Sequence, residues 1–172
     1  MIITDEKLLR VKCEDVTLDE VDDLIIKLDE ELKLSADNGL PGIGLAAPQI
    51  GIAKKAAIVR INNQFSVNLV NCRIANGYNK SLFDGEGCLS FPGKYEQTMR
   101  YQEIHVVDNL VWPHNFVARG LFAVVCQHEI GHYNNELLPD VALKKITRNK
   151  PRPNDECLCG SGKKYKKCHG KK

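Results

Sequence analysis

The sequence predicts an α+β domain of mostly antiparallel strands around a central helix, and three observations predict it. Residues 17–39, "TLDEVDDLIIKLDEELKLSADNG", carry apolar residues at helical spacing. Short β-type runs follow at 56–61, 66–75 and 103–109, parted by Asn, Gly and Pro. Residues 118–138, "ARGLFAVVCQHEIGHYNNELL", read as a long, strongly apolar helix. Helices set apart from a block of strands belong to the α+β class.

The elements justify themselves in order. In the first helix Thr17 and Glu20 have capping-box spacing, which satisfies amides left over at a helix start. Leu18, Val21, Leu24, Ile25, Leu28 and Leu32 make one apolar face, and Asn38-Gly39 with Pro41-Gly42 ends it. The runs "AAIVRI", "SVNLVNCRIA" and "EIHVVDN" alternate or cluster β-branched residues, and Asn76-Gly77 reads as a turn. Beyond Lys150, "PRPNDE" reads as a linker, because two prolines among polar residues cannot continue a helix. We expect a main domain over residues 1–147 and a linker with an appended tail over 148–172.

Composition narrows the class. The 172 residues are 43% hydrophobic and 27% charged, as in a globular domain with an aqueous surface. No apolar run reaches the roughly 18 residues of a membrane span, so no membrane partner is expected. The opening "MIITDEKLLR" has two acids and no apolar core, which argues against a secretory signal and for a cytoplasmic location. Seven cysteines in such a chain point to metal or catalysis before disulfides. Charge is unevenly placed. Residues 143–172 hold 11 Lys/Arg and 2 Asp/Glu, whereas residues 1–142 hold 13 and 20. A basic tail on an acidic body suits nucleic acid or another anionic surface; the other reading is a solubilising tail.

"HEIGH", residues 128–132, carries the chemistry. On a helix His128 and His132 stand one turn apart and reach one ion, and Glu129 beside them can handle the proton of an activated water. Such a centre usually has three protein ligands and one open position. A zinc endopeptidase would take its third ligand further along the chain. Glu136, Asp140, Asp155 and Glu156 sit on no plausible second helix, and Asn135 and Leu138 break the other protease pattern. Upstream, Cys88 in "DGEGCLSFPG" offers a thiolate, with Gly85 and Gly87 allowing close backbone approach. Leu121, Val124 and Val125 precede His128 by seven, four and three residues, so they can build an apolar wall, with Ile43 facing them. An unbranched thioether side chain suits such a wall. Glu86 and Arg100 are either a pair beneath the cysteine strand or two separate surface charges.

"GIGLAAPQ" (42–49), "EGCLS" (86–90) and "QHEIGH" (127–132), in that order and spacing, closely resemble the peptide deformylase family, over residues from about 8 to about 140. The resemblance implies removal of the formyl group from the initiating methionine of new polypeptides, with N-formylmethionyl peptides as substrates. It implies Cys88, His128 and His132 as metal ligands and Glu129 as the acid/base. Gln49 and the backbone N–H of Leu89 would stabilise the oxyanion. Gly44 would make backbone contacts to the peptide, and Gly42 lies in the same segment. The implied metal is Fe(2+), with Zn(2+), Ni(2+) or Co(2+) able to substitute. The family normally has Asp where Gly131 stands, Leu where Tyr133 stands and Gly near Asn135, departures that bear on how the ligands are oriented. A catalytically impaired, ribosome-associated adaptor is the alternative; the survival of all three ligands, Glu129 and Gln49 speaks against it.

The tail "NDECLCGSGKKYKKCHG" gathers Cys157, Cys159, Cys168 and His169, a closed structural Zn(2+) knuckle by its ligands and spacing. So short a segment has no core, so metal would supply its folding energy. It resembles the SEC-C motif. Lys163, Lys164, Lys166 and Lys167 around Tyr165 suit ribosomal RNA phosphate or an acidic protein face, which makes the tail a ribosome tether; the other reading is a zinc-stabilised end cap with no partner.

Overall fold

The computed structural model describes residues 1–108, 115–143, 153–154 and 161–168. Helix α1 (Glu6–Leu9) opens the chain, capped by Asp5, whose carboxylate accepts the Lys7 N–H at 2.9 Å. A 3-10 turn at Leu18–Glu20 leads into α2 (Val21–Asp37). Glu20 accepts from the Thr17 N–H at 2.9 Å and from the Thr17 hydroxyl at 3.0 Å, so the helix starts where the sequence signals it.

Among the described residues six strands follow in two antiparallel sheets. The first runs β1 (Gly44–Ala46), β2 (Ala56–Arg60), β3 (Ser66–Val70); the second runs β4 (Cys72–Gly87), β5 (Tyr95–Asp108), β6 (Phe116–Arg119). Two strand assignments change. The run 66–75 is broken by Asn71, whose φ of 52° passes the chain from one sheet to the other. The Asn71 side chain is held there by exchanging hydrogen bonds with the Val16 backbone at 2.8 and 2.9 Å. Asn76-Gly77 is not a turn but part of β4, beside a register shift between Ile74 and Asn76. A Cβ on Gly77 would lie 2.5 Å from the Tyr101 ring, so glycine is there to admit an aromatic from β5. The third run keeps its strand character and extends back to Tyr95; Asn109 lies outside the described residues.

Helix α3 (Gly120–Tyr133) is shorter than the 118–138 expected, and α4 (Leu138–Val141) follows as a separate turn. Asn135, with φ 67°, ends α3: its N–H reaches the His132 carbonyl at 3.2 Å and the Glu136 N–H reaches the Gly131 carbonyl at 2.9 Å. Every α3 residue from Ala123 to Tyr133 is buried, which makes it the central helix. Val125, Cys126, Ile130 and Tyr133 pack on Leu69, Ile104, Val106 and Ala118 from both sheets. Leu24, Leu28 and Leu32 of α2 pack on Leu45, Ile58 and Val70. Cys13, Cys72 and Cys126 are buried, and burial pushes the Cys72 thiol up to about 12, the behaviour of small core side chains. Among the described residues no helix is long and apolar enough to cross a membrane.

Candidate active site and metal centre

The long β4–β5 hairpin carries its connecting segment, with Cys88, against the middle of α3. There His128 and His132 present their Nε2 atoms 3.3 Å apart, and the Cys88 Sγ lies 3.3 Å from His132 Nε2. All three donor atoms fall within 4.8 Å of one another. One soft sulfur and two imidazoles converging in this way fit a first-row divalent ion with an open position. Both His132 Nδ1 and Glu129 Oε2 are buried without a hydrogen-bond partner among the described residues.

Glu86 organises the rear of the centre. Its carboxylate accepts from His128 Nδ1 at 2.7 Å, Thr98 Oγ1 at 2.6 Å, and Arg100 Nε and Nη2 at 2.9 and 2.6 Å. The two charges left open by the sequence are therefore a buried, bidentate pair. Burial alone would raise the Glu86 carboxyl, but Arg100 and then His128 outweigh it and hold it far below the usual range. In its neutral form, with the proton on Nδ1 held by Glu86, His128 turns the Nε2 lone pair toward the other donors. Burial lowers the affinity of both imidazoles for a second proton. In His128 the neighbouring Cys88 and Glu86 reverse that, up to about 10; in His132 the charges of His128 and Arg100 add to it.

Glu129 is 4% exposed, and burial pushes its carboxyl up to about 7, with the Glu86 charge adding and His128 opposing. A carboxyl poised near neutrality both takes and returns a proton. Gln49, in the 3-10 turn Ala47–Ile50, accepts from the Ala46 N–H at 2.8 Å. That contact aims its NH₂ at Ser90 Oγ, 3.1 Å away, and at Cys88 Sγ, 3.6 Å away.

These groups open into a cavity of about 370 Å³. Gly42, Ile43, Gly44, Gln49, Cys88 and Leu89 line one side of it; Leu121, Val124, Val125, His128 and Glu129 line the α3 side. Ile43 and Leu121 are partly exposed at its mouth, while Val124 and Val125 are buried deeper. The expected ligand, acid/base and wall positions are thus brought together. Cys157, Cys159 and His169 lie outside the described residues, as does most of the linker; Cys168 is described, with its Sγ 3.5 Å from Ser161 Oγ. Sequence reasoning missed Thr98 and Ser90, and weighed Glu136 only as a metal ligand. A signal existed for the first: Thr98 and Arg100 alternate inward on β5, polar where a core-facing strand is usually apolar.

Known proteins resemble this chain over most of its length. The family model described as polypeptide deformylase matches residues 1–149, and the SEC-C motif matches residues 154–171. A peptide deformylase of Clostridium botulinum is 34% identical over 142 residues, covering 81% of this chain and 93% of the relative. One from Prochlorococcus marinus is 37% identical over 138 residues, covering 76% and 68%. The crystal structure of a probable peptide deformylase from Synechococcus phage S-SSM7 superposes with a TM-score of 0.70 at 33% identity, covering 82% of this chain and 98% of that one. The adaptor alternative draws no support from these matches. The chain belongs to the peptide deformylase family, the metal-dependent hydrolases that remove the formyl group from nascent polypeptides.

Proposed function

We propose that Cys88, His128 and His132 hold the divalent ion of this deformylase, that Glu129 is its acid/base, and that Gln49 with the Leu89 N–H stabilises the oxyanion. The observation that carries the reading is the convergence of the three donors beside a buried Glu129 carboxylate at the wall of one cavity. When bound, the ion supplies Lewis acidity, which acidifies water and polarises the formyl carbonyl. Glu129 takes a proton as the water oxygen adds to the formyl carbon, and returns it to the amide nitrogen as the C–N bond breaks. Formate and a free amino terminus leave. The Gln49 NH₂, fixed through Ala46, is a donor where negative charge develops on the formyl oxygen. Gly44 offers backbone contacts to the peptide, and Gly42, Ile43, Leu121, Val124 and Val125 receive the methionine side chain.

We assign Fe(2+) to the centre in the cell, with Zn(2+), Ni(2+) or Co(2+) replacing it. Residues 1–147 form the catalytic domain, and 148–172 form a linker and a Zn(2+) tail built on Cys157, Cys159, Cys168 and His169. The tail holds the enzyme to the ribosome in the cytoplasm, where its substrate emerges. The catalytic reading is tested by formate release from a formyl-methionyl peptide, using anaerobically prepared protein. Cys88→Ala and Glu129→Ala are expected to abolish turnover; equal rates from all three proteins would overturn it.

A further inference from the structure

The geometry points to Glu136 as a positioning residue of the metal centre, an inference that rests on the ligand set proposed above. Arg100 is buried and spends Nε and Nη2 on Glu86, which in turn holds the His128 ring. Its remaining nitrogen, Nη1, faces Glu136 Oε1 at 3.4 Å. An arginine anchored on one edge alone can pivot about that edge. A second carboxylate on the opposite edge fixes the plane of the guanidinium, and through Glu86 the tilt of the imidazole.

Glu136 is half-exposed, so this contact resembles a surface ion pair of small worth. Two features of the backbone argue otherwise. The turn that ends α3 folds Glu136 back over Gly131, and a Cβ on Gly131 would stand 3.1 Å from the Glu136 carbonyl oxygen. Gly131 thus leaves the space through which Glu136 approaches. The turn is also pinned from outside, since Arg10 Nη1 donates to the Asn135 carbonyl at 3.3 Å while the same guanidinium pairs with Asp140 at 2.8 Å. Glu136 therefore begins from a fixed backbone, and reaching Arg100 orders its side-chain rotamers alone, a smaller loss than a loose surface segment would bear.

The test uses the full chain and Co(2+) as probe, titrated against a chelator and followed by its visible absorption. Subtracting the Cys88→Ala spectrum removes any contribution from the tail cysteines. Glu136→Ala is expected to weaken Co(2+) binding at the Cys88 centre roughly tenfold, the low end for groups behind a ligand. Its absorption bands should shift and its kcat fall while KM and the melting temperature of the metal-free protein hold. Glu136→Gln, whose amide oxygen still accepts from Arg100, is expected to recover most of the affinity. Unchanged Co(2+) affinity, bands and kcat in Glu136→Ala would overturn the assignment. A parent protein that forms no Cys88-dependent complex would remove the metal centre itself, and this inference with it.

Discussion

Gly44 and Glu129 share one small volume, and that sharing decides what position 44 tolerates. A Cβ on Gly44 would lie 2.4 Å from Glu129 Oε1 and 2.8 Å from its carboxyl carbon. The glycine thus seats Glu129, the proposed acid/base, and is a segment of the cavity wall. Gly44→Ala is expected to displace the carboxylate by about 1 Å and lower kcat/KM for formate release about 100-fold. The thermal midpoint should change far less, because the clash is with a side chain at a cavity. A substitution that left turnover intact would show that Glu129 needs no fixed seat. Much of this site is legible in the sequence, because His128, Glu129 and His132 obey one local rule, the helical turn. Cys88 is a candidate from its glycine-flanked segment, and the family pattern singles it out among the cysteines. The Glu86–Arg100 pair is only half legible, open in sequence against two separate surface charges: a register shift between Phe83 and Glu86 decides that Glu86 faces inward, and no local signal fixes where a bulge falls.

Helix ends show where tertiary structure overrides local pattern. The apolar periodicity of residues 118–138 runs on past Tyr133, but Asn135 in the left-handed region stops the helix and sends Glu136 back along it. The turn likewise explains a glycine that helix propensity disfavours. Gly131→Ala should gain ~1 kcal/mol of propensity. It instead meets the Glu136 carbonyl, a backbone atom held by the turn, and is expected to lower the thermal midpoint of the protein. Strand run 66–75 is broken for a similar reason, since Asn71 sits among β-forming residues in sequence and makes a corner in space. The start of the first helix, by contrast, is locally coded, and its chemistry makes a pH prediction. The Thr17 N–H, then Lys54, hold the Glu20 carboxyl down to about 2 from its ordinary 4.5. A carboxyl lowered on folding stabilises the native state above its unfolded value, and that contribution is lost as pH falls through 4.5 toward 2. The urea midpoints of the parent and Glu20→Gln should therefore differ at pH 6 and converge by about pH 2. A constant gap would deny the charge any role.

At the scale of the whole molecule the acidic body and basic tail act in opposite senses. A body with 20 acids against 13 bases is repelled by RNA, so any ribosome affinity has to come from residues 143–172, with 11 bases against 2 acids. Among the described residues there, Tyr165–Lys167 forms a 3-10 turn, and the Lys166 N–H reaches back to the Pro153 carbonyl at 2.9 Å. The basic cluster is thereby folded onto the start of its own segment. Deleting residues 151–172 is expected to abolish co-sedimentation with ribosomes while leaving kcat/KM on a free formyl-methionyl peptide within about twofold, since the catalytic groups all lie before Glu136. For the full chain, binding should fall steeply from about 50 to about 200 mM salt, because lysines on phosphate release counterions. Chelation of zinc should mimic the deletion, since the lysines lose their arrangement when their ligands let go. Co-sedimentation that survives both deletion and salt would place the contact on the catalytic body, against its own charge. The tail would then be a cap, and the deformylase would meet its substrate by diffusion alone.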